Sequence, residues 1–120
     1  MKKKNTSVGD GIISQSSNWK FTKSVAKVFD KHIKKSVPLY DEAHSIILKM
    51  SDFFIKDNSR VVDIGSSTGT LINHLEKRHS QKKVSYLGIE PEKGMITLAK
   101  KKNKKKNIKF IKKSIENYSI

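Results

Sequence analysis

Early in the chain Val25, Val28, Phe29, His32 and Ile33 fall at the i, i+3, i+4, i+7, i+8 spacing that turns one stripe of a helix toward a core. Ser36, Val37 and Pro38 end this segment, because the residue before a proline is pushed out of the helical region. A second helix is predicted from about Asp41 to Lys56, with Ala43, Ile46, Ile47, Met50, Phe53 and Phe54 on one face. Asp57, Asn58 and Ser59 then supply turn chemistry.

From Arg60 the period changes. Arg60 to Ile64 is a short apolar run ending at Gly65, and Leu71, Ile72 and Leu75 give the buried side of a helix that follows directly. Val84 to Ile89 reads as a second strand, closed by Glu90 and Pro91. Glu92 to Lys102 is a further helix with Met95, Ile96, Leu98 and Ala99 apolar, and Ile108 to Ile111 is a third short strand. Strand, helix, strand, helix, strand predicts a parallel sheet with right-handed crossovers, an α/β Rossmann-like unit preceded by two N-terminal helices. Three segments result: a flexible basic and polar arm over 1–18, a helical segment over 19–57 and a partial nucleoside-binding domain over 58–120.

Composition narrows the classes. With 120 residues and 35% hydrophobic content there is room for one core. Cysteine is absent, so disulfides, thiolate metal sites and a cysteine nucleophile are excluded. Thr6 to Lys20 holds no apolar run behind the basic Met1 to Lys4, and no stretch approaches the roughly 18 apolar residues of a membrane span, so a cytoplasmic protein without membrane contact is expected. His32, His44, His74 and His79 show no metal spacing with acidic partners, and no metal is expected.

The formal net charge of +15 has two readings. Clustered lysines release counterions from phosphate backbones, and Lys100 to Lys106 holds six of them, which points to nonspecific RNA contact. Arg60 and Arg78 are the only arginines, however, and a chain rich in lysine, isoleucine and asparagine is also what an AT-rich coding sequence yields. Arginine is the residue whose planar fork suits phosphate and guanine.

Chemistry concentrates in Val61 to Thr70, VVDIGSSTGT, a strand leading through a glycine-containing turn into a helix. Gly65 and Gly69 let backbone approach a ligand, and the helix start aims unpaired amides into the same space. The dinucleotide fingerprint begun at Gly65 requires glycine at 67, where Ser67 stands, and the Gly-Lys-Ser/Thr of a phosphate loop is absent. What remains is apolar-apolar-Asp-x-Gly-x-x-x-Gly with an acid, Glu90, ending the next strand. This pair resembles the nucleoside-binding signature of class I S-adenosylmethionine enzymes. A carboxylate at Glu90 can accept from both ribose hydroxyls and repels a phosphate, while Asp63 on the loop floor suits the methionine ammonium. The run PEKGMITLAKK after Glu90 also resembles that family's Asp/Glu-x-Ser-x-x-Met-Leu-x-x-Ala segment.

A more specific resemblance lies upstream. WKFTKSVAKVFDKHIKKSVPLY, Trp19 to Tyr40, is similar to the N-terminal segment of the carboxy-S-adenosylmethionine synthase family, matching at Phe21, Val25, Ala26, Val28, Phe29, Lys35, Ser36, Val37, Pro38 and Tyr40. The loop pattern Asp-x-Gly-x-Ser-x-Gly is matched by Asp63, Gly65, Ser67 and Gly69. The resemblance implies a transferase with S-adenosylmethionine or carboxy-S-adenosylmethionine as cofactor, prephenate as carboxyl donor and a product that serves modification of a tRNA wobble uridine. The cofactor-binding residues it implies are Tyr40, Asp63, Gly65, Ser66, Ser67, Gly69, Glu90, Pro91, Ser114 and Ile115. No catalytic residue is assigned. Trp19, Phe21 and Phe29 are expected to pack rather than to stack on bases.

Two departures weaken the match: Glu90-Pro91 stands where the family has Asp-Asn, and Lys113-Ser114-Ile115 stands for Gly-Asp-Ile, which weakens the adenine contact. The family builds a seven-stranded sheet whose first strand is central, whereas this sequence holds three strands. Arg60 to Ile64 is therefore expected to form an exposed apolar edge unless something covers it: either the chain is truncated or split, or a second copy or a second chain completes it. Two other function classes stay open, a general class I methyltransferase acting on nucleic acid or a small molecule, and a non-catalytic lysine-rich binding module.

Overall fold

The computed structural model describes residues 23–119 together with 6–7 and 13–14. Strands β1 (Thr6–Ser7) and β2 (Ile13–Ser14) pair antiparallel, a short ribbon that the polar composition of the arm does not announce. Trp19 and Phe21 lie outside the described residues.

The helical segment forms as the periodicity predicts: α1 runs Lys23–Ser36 and α2 runs Tyr40–Phe54. Between them Pro38 stops α1 and Leu39 takes a left-handed φ of 59°. The sheet is β3 (Arg60–Ile64), β4 (Ser85–Ile89) and β5 (Ile108–Ile111), all parallel in the order β3-β4-β5. Its register sets Asp63 opposite Gly88 and Gly88 opposite Phe110. Helices α3 (Thr70–Arg78) and α4 (Lys93–Lys102) are the crossovers, and a 3-10 turn, Ile115–Asn117, follows β5.

One core holds this together. Ile72 and Leu75 of α3 and Ile96 and Ala99 of α4 pack with Tyr86, Ile108 and Phe110 of the sheet, against Ile55 and Val84. A second cluster seats α1 on α4 through Ala26, Phe29 and Met95. Phe29 is a packing residue, as the sequence reading has it.

The apolar face of α2 behaves differently. Ile46, Ile47, Met50, Phe53 and Phe54 all face outward, Phe53 with 79% of its surface exposed. The helix instead turns Leu48 and Ser51 inward, where the Ser51 hydroxyl donates to the Leu48 carbonyl and lies 2.7 Å from Nε2 of His79. Strand β3 lies at the sheet edge, with Val62 and Ile64 exposed.

Candidate functional site

The loop between β3 and α3 is held in an unusual backbone path. Gly65, Ser67 and Gly69 all have positive φ, at 77°, 49° and 76°. Glycine accepts this region freely, but Ser67 does not, so its conformation must be held by contacts. The Gly65 and Ser66 amides both donate to the Ile89 carbonyl at the end of β4, and the Ser67 amide donates to Oε2 of Glu90 at 3.1 Å. These three donors are thus satisfied inside the protein. The amides of Gly65 to Ser67 are therefore not free to hold a ligand, whereas the unpaired amides that the sequence predicts belong to the start of α3 at Thr70.

The two loop glycines serve different ends. A Cβ on Gly65 would meet open space, consistent with backbone approached from outside. On Gly69 it would lie 2.6 Å from the Phe110 ring and 2.9 Å from the Asn103 side-chain amide. Gly69 therefore seats the loop on the core rather than opening it to a ligand. Gly88 was not singled out by the sequence reading, yet a Cβ there would sit 2.4 Å from Phe110 and 2.7 Å from the Ser66 hydroxyl.

A cavity opens on the outer side of the loop, walled by Phe29 and Ile33 of α1, Tyr40 and His44 of α2, Asp63, Gly65 to Thr68, and Thr70 and Leu71 of α3. Among the sequence-predicted residues, Tyr40, Asp63, Gly65, Ser66 and Ser67 converge here. Asp63 accepts no hydrogen bond among the described residues. Burial, and then the Glu90 charge, push its carboxyl pKa up to about 6. Tyr40 is raised from its ordinary value by burial and by the carboxylates of Asp30, Asp41 and Asp63.

Glu90 lies beside the cavity, buried at the end of β4. Its Oε1 accepts from the Glu92 amide at 2.9 Å and its Oε2 from Ser67, so each oxygen keeps further acceptor capacity. Pro91, Ser114 and Ile115 are not among the residues that wall the cavity. The Ser114 hydroxyl donates to Glu116.

His44 and Thr70 also wall the cavity, although the sequence analysis assigns them no role there. His44 stands four residues after Tyr40, so the two share a helix face, with ring centroids 4.3 Å apart. That spacing was readable once Tyr40 had been chosen. His74 of α3 meets His44 edge-on at 6.3 Å. Burial, and then the neighbouring His74, lower the His44 pKa. Among the described residues no group of three histidine, cysteine or acidic side chains is placed to hold a metal. No described helix is long and apolar enough to cross a membrane.

A methyltransferase domain model matches residues 61–120. The chain is 34% identical over 106 residues to carboxy-S-adenosyl-L-methionine synthase of Staphylococcus epidermidis, covering 85% of this chain and 45% of that protein. It is 34% identical over 84 residues to the enzyme of that name from Nautilia profundicola, covering 70% and 35%. It thus spans less than half the length of these curated relatives. A crystal structure assigned as an S-adenosyl-L-methionine-dependent methyltransferase of Methanococcus maripaludis superposes with a TM-score of 0.64 at 26% identity, over 89% of this chain and 48% of that one. An Aquifex aeolicus S-adenosylmethionine-dependent methyltransferase gives 0.56, also at 26% identity, over 79% and 48%. The three parallel strands, the glycine loop leaving β3 and the acid ending β4 agree with these matches, and the chain belongs to the methyltransferase domain family.

Proposed function

We propose that this chain binds S-adenosylmethionine, or its carboxy derivative, as the N-terminal half of a transferase of the carboxy-S-adenosylmethionine synthase kind. The observation that carries the reading is Asp63, a carboxylate on the floor of a cavity walled by both N-terminal helices, with no hydrogen-bond partner among the described residues. Such a group costs free energy when ionised unless a cation sits beside it, and the methionine ammonium is that cation. Glu90 stands one strand away with acceptor capacity for ribose hydroxyls. Tyr40 and His44 border the same space. In the assembled enzyme, prephenate would be the carboxyl donor and the product would serve tRNA wobble uridine modification in the cytoplasm, as the synthase resemblance implies.

The exposed β3 edge and the outward apolar face of α2 support a further part of this reading, that a second copy or a second chain covers them. RNA contact through Lys100 to Lys106 is nonspecific on this account. Lys102 pairs with Asp30 and Lys105 with Glu76, which leaves Lys100, Lys101, Lys104 and Lys106 as the exposed lysines with no ion pair among the described residues.

Titration calorimetry with S-adenosylmethionine, its demethylated product, NAD and ATP tests the cofactor assignment. The first two are expected to bind and the last two not to, and tighter binding of NAD or ATP would overturn it. Incubation with S-adenosylmethionine and prephenate, followed by mass spectrometry, is expected to show binding without turnover. Alignment of two reactants supplies about 7 to 11 kcal/mol of a barrier reduction, and no residue assigned here positions the donor.

A further inference from the structure

We infer that Asp30 of α1 is a positioning residue that fixes the cofactor loop at Thr68 and Thr70, next to the anchor that Glu90 gives Ser67, an inference that rests on the cofactor assignment above. The loop holds three left-handed residues, one of them a serine in a conformation it does not favour, so it needs anchors on both flanks. Glu90 supplies one, through the Ser67 amide.

Asp30 supplies the other. Its Oδ1 accepts from the Thr68 hydroxyl at 2.5 Å and from the Thr70 hydroxyl at 3.3 Å, and these hydroxyls are themselves 3.2 Å apart. Its Oδ2 pairs with Lys102 at the end of α4. Thr68 is almost fully buried, with 1% of its surface exposed, so a hydroxyl there requires a partner inside the protein.

One carboxylate thus joins three elements, α1, the loop entering α3, and α4. Burial pushes the Asp30 carboxyl up, but hydrogen bonds from Lys102, Thr68 and Thr70 outweigh it and hold the group below its ordinary value, ionised at neutral pH. The flanking residues extend the argument to the cavity. Phe29 and Ile33, one before and three after Asp30, are walls of the ligand space. Fixing Asp30 to Thr68 therefore fixes the distance between the loop that floors the cavity and the helix that closes it. Asp30 does not line the cavity, so it acts through Thr68 and Thr70. It also lies outside the positions that carry the synthase resemblance, which match at Phe29 and resume at Lys35.

The test compares Asp30→Ala, Asp30→Asn, Thr68→Val and the Asp30→Ala/Thr68→Val double variant in the full chain. Binding of S-adenosylmethionine is measured by calorimetry, and thermal melts by circular dichroism. Asp30→Ala and Thr68→Val are each expected to weaken binding about tenfold, and the double variant no more than twofold beyond either, because both remove one interaction. Asp30→Asn keeps an acceptor oxygen for Thr68 and is expected to stay within threefold of the parent. Asp30→Ala binding within twofold of the parent while folded, or single losses that multiply in the double variant, would overturn the inference.

Thr68→Val carries the test if Asp30→Ala does not fold. Amide hydrogen exchange separates this inference from the cofactor reading, since it needs no ligand. Exchange at Ser67 to Thr70 is expected to accelerate in Thr68→Val and in folded Asp30→Ala relative to the rest of the chain. Unchanged loop protection would overturn the inference even if the parent chain binds S-adenosylmethionine, whereas a parent that does not bind would sink only the cofactor assignment.

Discussion

Asparagine at position 63 removes the charge on the cavity floor while keeping nearly the same side-chain shape, and it should move stability and binding in opposite directions. In the folded chain the Asp63 carboxyl titrates at about 6, against an ordinary value of 3.8. A shift of that size corresponds to about 3 kcal/mol of penalty on the charged form, which partial solvent screening of a half-buried group reduces to about 1–2 kcal/mol. Because the folded pKa is the raised one, the penalty is absent below about pH 4, where both states hold the proton. It grows as pH rises and is complete above about pH 6.

Asp63→Asn should therefore melt with the parent at pH 4 and about 4–16 °C above it at pH 7.5, using the usual 4–8 °C per kcal/mol for a domain of this size. Calorimetry at pH 7.5 should show the reverse for S-adenosylmethionine. A charge-assisted contact to the ammonium is worth about 1.5–3 kcal/mol, so affinity should fall roughly 10- to 150-fold. The parent's affinity should rise between pH 5 and 7 while that of the variant stays flat. Equal melting of parent and variant at pH 7.5, together with unchanged affinity, would refute the assignment of Asp63 as the unpartnered carboxylate that awaits a cation.

Glu90→Ala removes both a proposed ribose acceptor and the partner of two backbone amides, so it should weaken S-adenosylmethionine binding about 10- to 150-fold and also cost about 1–3 kcal/mol of stability. Calorimetry and urea unfolding read the two effects, and affinity within twofold of the parent would place the ribose elsewhere. Gly69→Ala should destabilise by about 2–4 kcal/mol, from the left-handed backbone and the collision with Phe110, whereas Gly65→Ala should cost only the backbone component of about 1–2 kcal/mol. Equal unfolding midpoints would contradict the different roles given to the two glycines. Changing Lys100, Lys101, Lys104 and Lys106 to glutamine should flatten the salt dependence of RNA binding by about 3 in log-log slope, at roughly 0.7 per single-strand contact and equally for unrelated RNAs. Loss confined to one tRNA would indicate a selected site instead.

The sequence by itself determined the main helices and strands, and the loop and acid on which the candidate site is built. The strands Arg60–Ile64 and Ile108–Ile111 form with the predicted ends, and β4 and α4 each begin one residue later than predicted. These features rest on local rules, namely the hydrophobic period, proline at 38 and the glycine-rich exit from β3. The acid at position 90 was legible for a similar reason, because one strand-loop-helix-strand unit fixes its distance from the loop.

Tertiary structure decided what each face meets. The stripe on α2 reads as a core face in periodicity, yet it is Leu48 and Ser51 that turn inward, because His79, 28 residues after Ser51, provides the partner. Gly69 and Gly88 look like ligand-side or incidental glycines until Phe110 is brought over both. Asp30 carries no local signal, since the hydroxyls it accepts from lie 38 and 40 residues further on. Periodicity records which side of an element is apolar, but the partner of that side is set by chain segments far away in sequence, and their positions are fixed only when the sheet forms and the helices pack on it.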